Sequence, residues 1–237
     1  MALDHALLDR ATDDGSVVLR LYRWAGDTVS FGANERALRS WDRSAFERSR
    51  QPVVRRPTGG RAVWHGADDL TYAVTAPLTT FGGLRPAYRT IHERLARAFA
   101  RLGHVAALAP QAAHHPGLDA GACFDMAVGG EVVIGGRKTV GSAQLAAGPS
   151  LLQHGAIALA DRAAALARFG REKPLDTVRQ LPTAPLLAMP LALADAIAAE
   201  WLDGGALAAP AWLADWAEAA SERHASRYRD LAWTWRR

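Results

Sequence analysis

The chain has 237 residues, 49% of them hydrophobic, enough for one large domain with a sizeable core. No run approaches the roughly 18–20 apolar residues that cross a bilayer, and the opening Met1-Ala-Leu-Asp-His5 lacks the basic and then apolar pattern of a signal peptide, so a cytoplasmic protein without membrane contact is expected. Lys plus Arg outnumber Asp plus Glu by 28 to 24, a net charge of +4, and the arginines are dispersed rather than gathered in a stripe, which argues against nucleic acid and for an acidic protein partner.

Ala2, Leu3, Ala6 and Leu7 share one face of a first helix that Gly15 stops, and Val17 to Trp24 alternates as a half-buried strand. Gly26-Asp27 turns the chain into a short strand, Thr28 to Phe31, and Pro52 to Arg56 is another that enters Pro57-Thr-Gly-Gly60. Strands Arg61 to His65 and Leu70 to Thr75 flank Gly66-Ala-Asp-Asp69, the turn chemistry of a hairpin. Ile91, Leu95, Phe99 and Leu102, spaced by three and four, mark the longest amphipathic helix, about 87–102. Residues 106–122 read as loop. Glu131 to Ile134 and Lys138 to Gln144 form two strands joined across Gly135-Gly136. A strand from Leu151 to Leu159 precedes helices that carry Leu193, Ile197 and Trp201 on one face and Trp212 and Trp216 on another. Strands first and most helices later predict an α+β domain rather than a βαβ repeat, with no internal repeat or linker.

Three stretches can carry chemistry. Arg55-Arg-Pro-Thr-Gly-Gly-Arg-Ala-Val-Trp-His65 sets two glycines between a strand with two arginines and a strand that ends in histidine; such a loop leaves its amides open to an anion or lies flat against a thin chain, and alone it is equally an ordinary glycine turn. Gly136-Arg-Lys-Thr-Val-Gly-Ser-Ala-Gln144 opens a strand on a lysine followed by small residues, so Lys138 reaches a carbonyl or phosphate oxygen across a pocket floor or sits at a hairpin corner on the surface. The single cysteine, Cys123, forms no internal disulfide and is too little sulfur for a structural zinc site. It is a buried thiol or a reagent whose thiolate a nearby ammonium favours. His65 and His154 read as packed or hydrogen-bonded side chains, the His114-His115 pair lacks the further ligands a metal needs, and no metal ligand is assigned. There is no P-loop, dinucleotide fingerprint or Gly-x-Ser-x-Gly elbow.

Together these stretches resemble the catalytic domain of the biotin and lipoate protein ligase family, and most closely its cysteine-dependent octanoyltransferase branch. The blocks that carry the resemblance are Arg55 to His65 with Leu70-Thr-Tyr72, Ala122-Cys-Phe-Asp125 with Gly136 to Gln144, and Leu152-Gln-His-Gly155, with weaker echoes at Met1 to Leu7, Leu21 to Trp24, Thr28 to Gly32, Tyr228 and Trp233. The resemblance implies a single catalytic domain over residues 1–237 with a mostly antiparallel or mixed sheet flanked by helices, and no accessory adenylation domain. It implies Cys123 and Lys138 as the catalytic pair, Lys138 on the acyl carbonyl. Arg56, Thr58, Gly59, Gly60, Arg61, His65, Gly141, Ser142, Ala143 and His154 then form the substrate pocket, a narrow apolar tunnel whose sheet floor includes 61–65 and 138–144. Where ligases of the family carry a third glycine, this chain has Arg61, and where they carry an asparagine-aspartate pair it has Cys123-Phe124. Both are as in the octanoyltransferases.

The implied reaction moves an octanoyl group from acyl carrier protein, by way of a Cys123 thioester, to the lysine of a lipoyl domain or a glycine cleavage H protein, in lipoate biosynthesis. A thioester arrives already activated, so neither nucleotide nor other cofactor is expected, and Lys138 stabilises thiolate and oxyanion. Either His65 or Lys138 accepts the amine proton. The competing readings are an ATP-dependent lipoate-protein ligase, whole or half of a two-chain enzyme, and a non-catalytic module that holds an acyl chain or a lipoyl domain.

Overall fold

The computed structural model describes residues 1–110, 129–160, 162–171, 190–202 and 213–236. The first helix, α1 (Ala2–Asp14), ends on Gly15, whose φ of 74° is the left-handed cap that a Cβ disfavours. The chain continues through β1 (Val18–Tyr22), β2 (Thr28–Phe31), the short helices α2 (Ala37–Ser40) and α3 (Arg43–Ser49), and β3 (Val53–Arg55). After the glycine loop come β4 (Val63–His65), β5 (Leu70–Pro77), α4 (Leu84–Arg101) and β6 (Ala106–Leu108). The strands β7 (Val132–Ile134), β8 (Arg137–Lys138), β9 (Val140–Ala147) and β10 (Ser150–Ile157) precede α5 (Ala163–Ala167), α6 (Pro190–Trp201), α7 (Leu213–Arg229) and α8 (Leu231–Thr234). This is the expected α+β order. Among the described residues no helix is long and apolar enough to cross a membrane.

The strands divide into three sheets, ordered β1-β5-β10-β9, β3-β2-β4 and β6-β7-β8. Every pairing is antiparallel except β2 with β3. Three local expectations are corrected. The turn at 66–69 is built as read, with Asp69 Oδ2 accepting from the Gly66 amide at 2.8 Å and the Asp69 amide donating to the Gly66 carbonyl at 3.0 Å. Its flanking strands do not form a hairpin, however: β4 pairs with β2, whereas β5 pairs with β1 and β10. A local turn signal fixes the bend and leaves open which strand each arm finds next. Secondly, 106–108 is a strand, held by β7 and invisible in its own Ala-rich composition; the rest of the expected loop, 111–122, lies outside the described residues, as does Trp212.

Thirdly, the second arm of the 131–144 hairpin is two strands. Gly135 and Gly136, at φ 58° and 74°, make the two-residue turn their sequence predicts. Lys138 pairs with Val133 in the small sheet, after which Thr139 passes the chain to the large one: its amide donates to the Val132 carbonyl at 2.9 Å, and its carbonyl accepts from Ala158 at 3.0 Å. The expected floor therefore spans all three sheets, with 63–65, 137–138 and 140–147 one in each.

The large sheet is covered on both faces, which is why β10 is buried along its whole length. Tyr72, Val74, Val140 and Ile157 pack against Ile91, Leu95 and Phe99 of α4 and Leu193 and Ile197 of α6. Leu8 of α1 packs on Ala73 and Leu152 on the opposite face. Each such aliphatic side chain contributes about 1.5–3 kcal/mol when fully withdrawn from water. Arg55, fully buried, belongs to this scaffold: Nη1 donates to the Gly32 and Glu35 carbonyls at 2.6 and 2.9 Å and Nε to the Thr234 carbonyl at 2.9 Å, tying α8 to β3.

Candidate active site

The glycine loop joins β3 to β4 and lies between their sheet and the four-stranded one. It is held from below by Arg56, whose guanidinium donates to the carbonyls of Ser30 at 2.9 Å, Gly59 at 2.9 Å and Arg61 at 2.7 Å. Gly32 is required beneath it, since a Cβ there would collide with the Gly60 carbonyl oxygen. Gly60 itself has φ 88°, and its Cα faces Ala143 of β9. These contacts form a cleft of about 30 Å³ lined by Arg56, Gly60, His65, Gly141, Ser142, Ala143 and His154, all predicted from sequence, together with Met1, Tyr22, Ser30, Val63, Thr71, Gly155 and Ala156. Such a volume holds about two waters. An eight-carbon chain enters only if side chains part.

Thr58 is fully buried behind this cleft, where it closes a polar chain across it. Asp4 Oδ1 accepts from Arg20 Nη1 at 2.6 Å, and Oδ2 lies 3.2 Å from the Tyr22 hydroxyl and 3.3 Å from His154 Nδ1; His154 Nε2 is 2.6 Å from Thr58 Oγ1. A carboxylate only accepts, so Nδ1 carries the imidazole proton and Nε2 accepts from the threonine hydroxyl. Burial alone would raise the Asp4 carboxyl; the Met1 ammonium, the His154 hydrogen bond and the Arg20 charge outweigh it and hold the group well below the usual carboxylate range. Burial keeps His154 neutral against the pull of Asp4. In sequence Asp4 belongs only to a helix start, yet it shares the buried face of α1 with Leu7, Leu8 and Ala11, and an acid on an apolar stripe is a detectable signal.

His65 stacks on Trp24 with ring centroids 4.4 Å apart, and its Nε2 is 2.8 Å from Ser30 Oγ. Its Nδ1 has no hydrogen-bond partner among the described residues. Burial, and then the Arg56 and His154 charges, push its pKa well below the ordinary histidine value. Gly59 and Arg61 do not line the cleft; both give their carbonyls to Arg56.

On the far face of the sheet runs a second polar line. Gln144 donates to Gln153 Oε1 at 2.9 Å and Gln153 to the Tyr72 hydroxyl at 2.9 Å; that hydroxyl is 2.6 Å from Ser142 Oγ, which is 2.8 Å from His92 Nε2, and His92 Nδ1 is 2.6 Å from the Gly130 carbonyl. The carbonyl at its end fixes the direction: Nδ1 carries the proton and Ser142 donates to Nε2. His92 falls to about 4 through burial, opposed by the Gly130 carbonyl and helped by the positive charge of Lys138. Gly155 lets this line pass, because a Cβ there would lie 2.5 Å from Ser142 Oγ and 2.7 Å from Tyr72 Cε1. Gly155→Ala is expected to lower stability by about 1–3 kcal/mol, read as a shift in the urea midpoint; an unchanged midpoint would refute the close approach.

Lys138 is neither at a surface corner nor in the lining of the cleft. Its side chain is 2% exposed, with Nζ 2.8 Å from Glu131 Oε1, itself buried. Thr139 links it to the wall formed by Gly141 to Ala143. In sequence Glu131 is only the start of a strand. The two-glycine turn sets Lys138 opposite Val133 and so diagonal to Glu131, within reach on the same face. Cys123 lies outside the described residues.

The α+β fold that carries this glycine loop on one sheet and a buried lysine on another has counterparts among solved structures. A solved lipoate-protein ligase A bound with ATP superposes with a TM-score of 0.78 at 18% identity, covering 99% of this chain and 92% of that one. LipL1 of P. falciparum in complex with lipoate superposes with a TM-score of 0.73 at 12% identity, covering 100% and 71%. Both likenesses are of fold. Residues 1–181 match the family model of the lipoyl protein ligase A/B catalytic domain, and the chain belongs to that family. Octanoyltransferase LipM of Exiguobacterium sp. (strain ATCC BAA-1283 / AT1b) is 38% identical over 170 residues, covering 67% of this chain and 60% of that protein. Octanoyltransferase LipM of Moorella thermoacetica is 38% identical over 165 residues with the same coverage, and that of Kyrpidia tusciae 38% identical over 192 residues, covering 76% and 69%. The chain thus spans about 60% of the length of the first two of these relatives.

Proposed function

We propose that this chain is an octanoyl-[acyl carrier protein]:protein N-octanoyltransferase of lipoate biosynthesis, acting in the cytoplasm as a single catalytic domain over residues 1–237. The observation that carries the reading is the buried Lys138, an ammonium kept 2% exposed beside the strand that walls the cleft, in a chain whose relatives are named octanoyltransferases. In the first half-reaction the Cys123 thiolate adds to the carrier's thioester carbonyl to give a tetrahedral oxyanion, which collapses with cleavage of the old C–S bond, and the carrier leaves as a thiolate that takes up a proton. In the second, the unprotonated amine of a lysine on a lipoyl domain or glycine cleavage H protein attacks the Cys123 thioester; an amide forms, the thiolate leaves, and the amine gives up a proton.

Each half-reaction passes through an oxyanion, and Lys138, paired with Glu131 behind the cleft wall in the resting structure, supplies positive charge to it when Nζ turns from Glu131 to the acyl group. His65, the neutral imidazole at the cleft whose pKa burial holds well below the ordinary histidine value, receives the amine proton. Neither half-reaction consumes a nucleotide or another cofactor. The positive excess of the chain suits acidic carrier and acceptor surfaces.

Intact mass spectrometry after mixing the full chain with octanoyl carrier protein, without ATP, tests the reading. The expected result is a gain of one octanoyl group on the enzyme, discharged when a lipoyl domain is added. Modification of the acceptor only with free acid, ATP and magnesium, accompanied by pyrophosphate exchange, would instead identify a ligase. Binding without any transfer would identify a non-catalytic module.

A further inference from the structure

Away from the cleft, α1 packs along α7. His5 and Asp9, one turn apart on α1, meet His224 of α7, and a ring nitrogen of each histidine and a carboxylate oxygen of Asp9 all lie within 4.8 Å of one another. His224 Nε2 is 2.7 Å from Asp9 Oδ2, and the His5 and His224 rings stack with centroids 4.0 Å apart and planes 12° from parallel. His5 Nδ1 is 3.1 Å from the Tyr228 hydroxyl. A cavity of about 200 Å³, bordered by Asp9 and His224 with Asp13, Asp14, Arg10 and Arg223, opens beside the group.

We propose that His5, Asp9 and His224 form a binding site for a divalent transition-metal ion of the zinc type, which clamps α1 to α7. Two imidazoles and one carboxylate are the donor set zinc takes, and donors around one tetrahedral zinc sit about 3.3 Å apart, from metal–ligand distances near 2.0–2.1 Å. The His224–Asp9 contact is shorter than that because a proton bridges it; an ion that replaces the proton widens the pair by about half an ångström. The remaining donor, a ring nitrogen of His5, has to move in by about 1.5 Å, and since an ion lies in the plane of each imidazole it binds, the ion has to turn the two stacked rings out of parallel as well. His5 Nδ1–H donating to the Tyr228 oxygen leaves Nε2 open for the ion, the outer hydrogen bond that orients ligating histidines generally. The cavity beside the group admits the water that completes four-coordination. Of the two cations bordering that cavity, Arg10 is drawn off by Asp14 at 3.0 Å. Asp4 adjoins His5, so a bound ion also steadies the helix that carries the Asp4–His154–Thr58 line.

The test uses the full chain carrying Cys123→Ser, so that no thiol competes for the metal, titrated with zinc chloride by calorimetry and with cobalt chloride by visible absorption. The expected results are one saturable equivalent of zinc, cobalt d–d bands of a low-coordinate site, and a thermal midpoint raised by zinc. Asp9→Asn and His224→Gln, checked for fold by circular dichroism, are expected to weaken zinc at least about tenfold and to lose the thermal response. Absence of saturable binding or of the cobalt bands in the parent chain, or equal affinity in both variants, would overturn the site. None of these readouts depends on acyl transfer.

Discussion

Cys123→Ala is expected to abolish the acyl-enzyme and acceptor modification together, a fall in rate of more than about 10⁴-fold, the scale on which removal of a covalent nucleophile is felt. The reason lies in the leaving groups. A carrier thioester and a Cys123 thioester are nearly equal in energy, so the first exchange is close to level and the later amide formation is downhill. Without the thiol, an amine has to attack the carrier thioester directly, with donor and acceptor proteins held at the site at once. Mass spectrometry reads the missing octanoyl adduct, and a single-turnover assay reads the transfer. A Cys123→Ala protein that modified its acceptor at the parent rate would end the thioester mechanism.

Lys138→Ala is expected to slow each half-reaction by about 10²–10³-fold, the loss found when one donor to a developing oxyanion is deleted. It is also expected to lower stability by about 3–5 kcal/mol, because it strips the buried Glu131 carboxylate of the ammonium 2.8 Å away. The double variant Lys138→Ala with Glu131→Gln separates these effects. Neutralising both partners should restore much of the stability, measured by urea unfolding, and leave the rate low. Recovery of the rate along with the stability would show that Lys138 is structural only. Lys138→Arg keeps the charge but not its position, and should recover little of either, since a planar guanidinium does not fit where a compact ammonium is enclosed.

What was legible in the sequence was what local chemistry decides. Gly15, Gly135 and Gly136 announced their bends, and the spacing of Ile91, Leu95 and Phe99 announced α4. Half of the residues lining the cleft came from motifs, because the glycine loop and the start of β9 are short contiguous stretches that face each other; Met1, Tyr22, Ser30 and Thr71 reach it from elements that carry no motif. Partners chosen across long separations were not legible. Asp4 and His154 stand 150 positions apart, and His224 and Asp9 stand 215 apart; no period or spacing joins them. The strands on either side of Asp69 looked like a hairpin for the same reason, since the bend is local and the choice of neighbouring strand is not. His92 looked like one more residue of an amphipathic helix until Ser142 arrived from another element to meet it.

Thr139 is the joint between the lysine and the wall of the cleft, bonded on one side to Val132 and on the other to Ala158. Upstream of it, Lys138 takes its position from a two-residue glycine turn; downstream, Gly141 to Ala143 take theirs from eight antiparallel pairings with β10. The lysine and the cleft wall are therefore specified by separate pieces of chain with a single residue in common. Variation in the hairpin can shift the lysine while the register that shapes the wall of the cleft stays as it is. A fold built in this way is modular at the scale of one strand, so that a side chain and the wall beside it can change independently of each other.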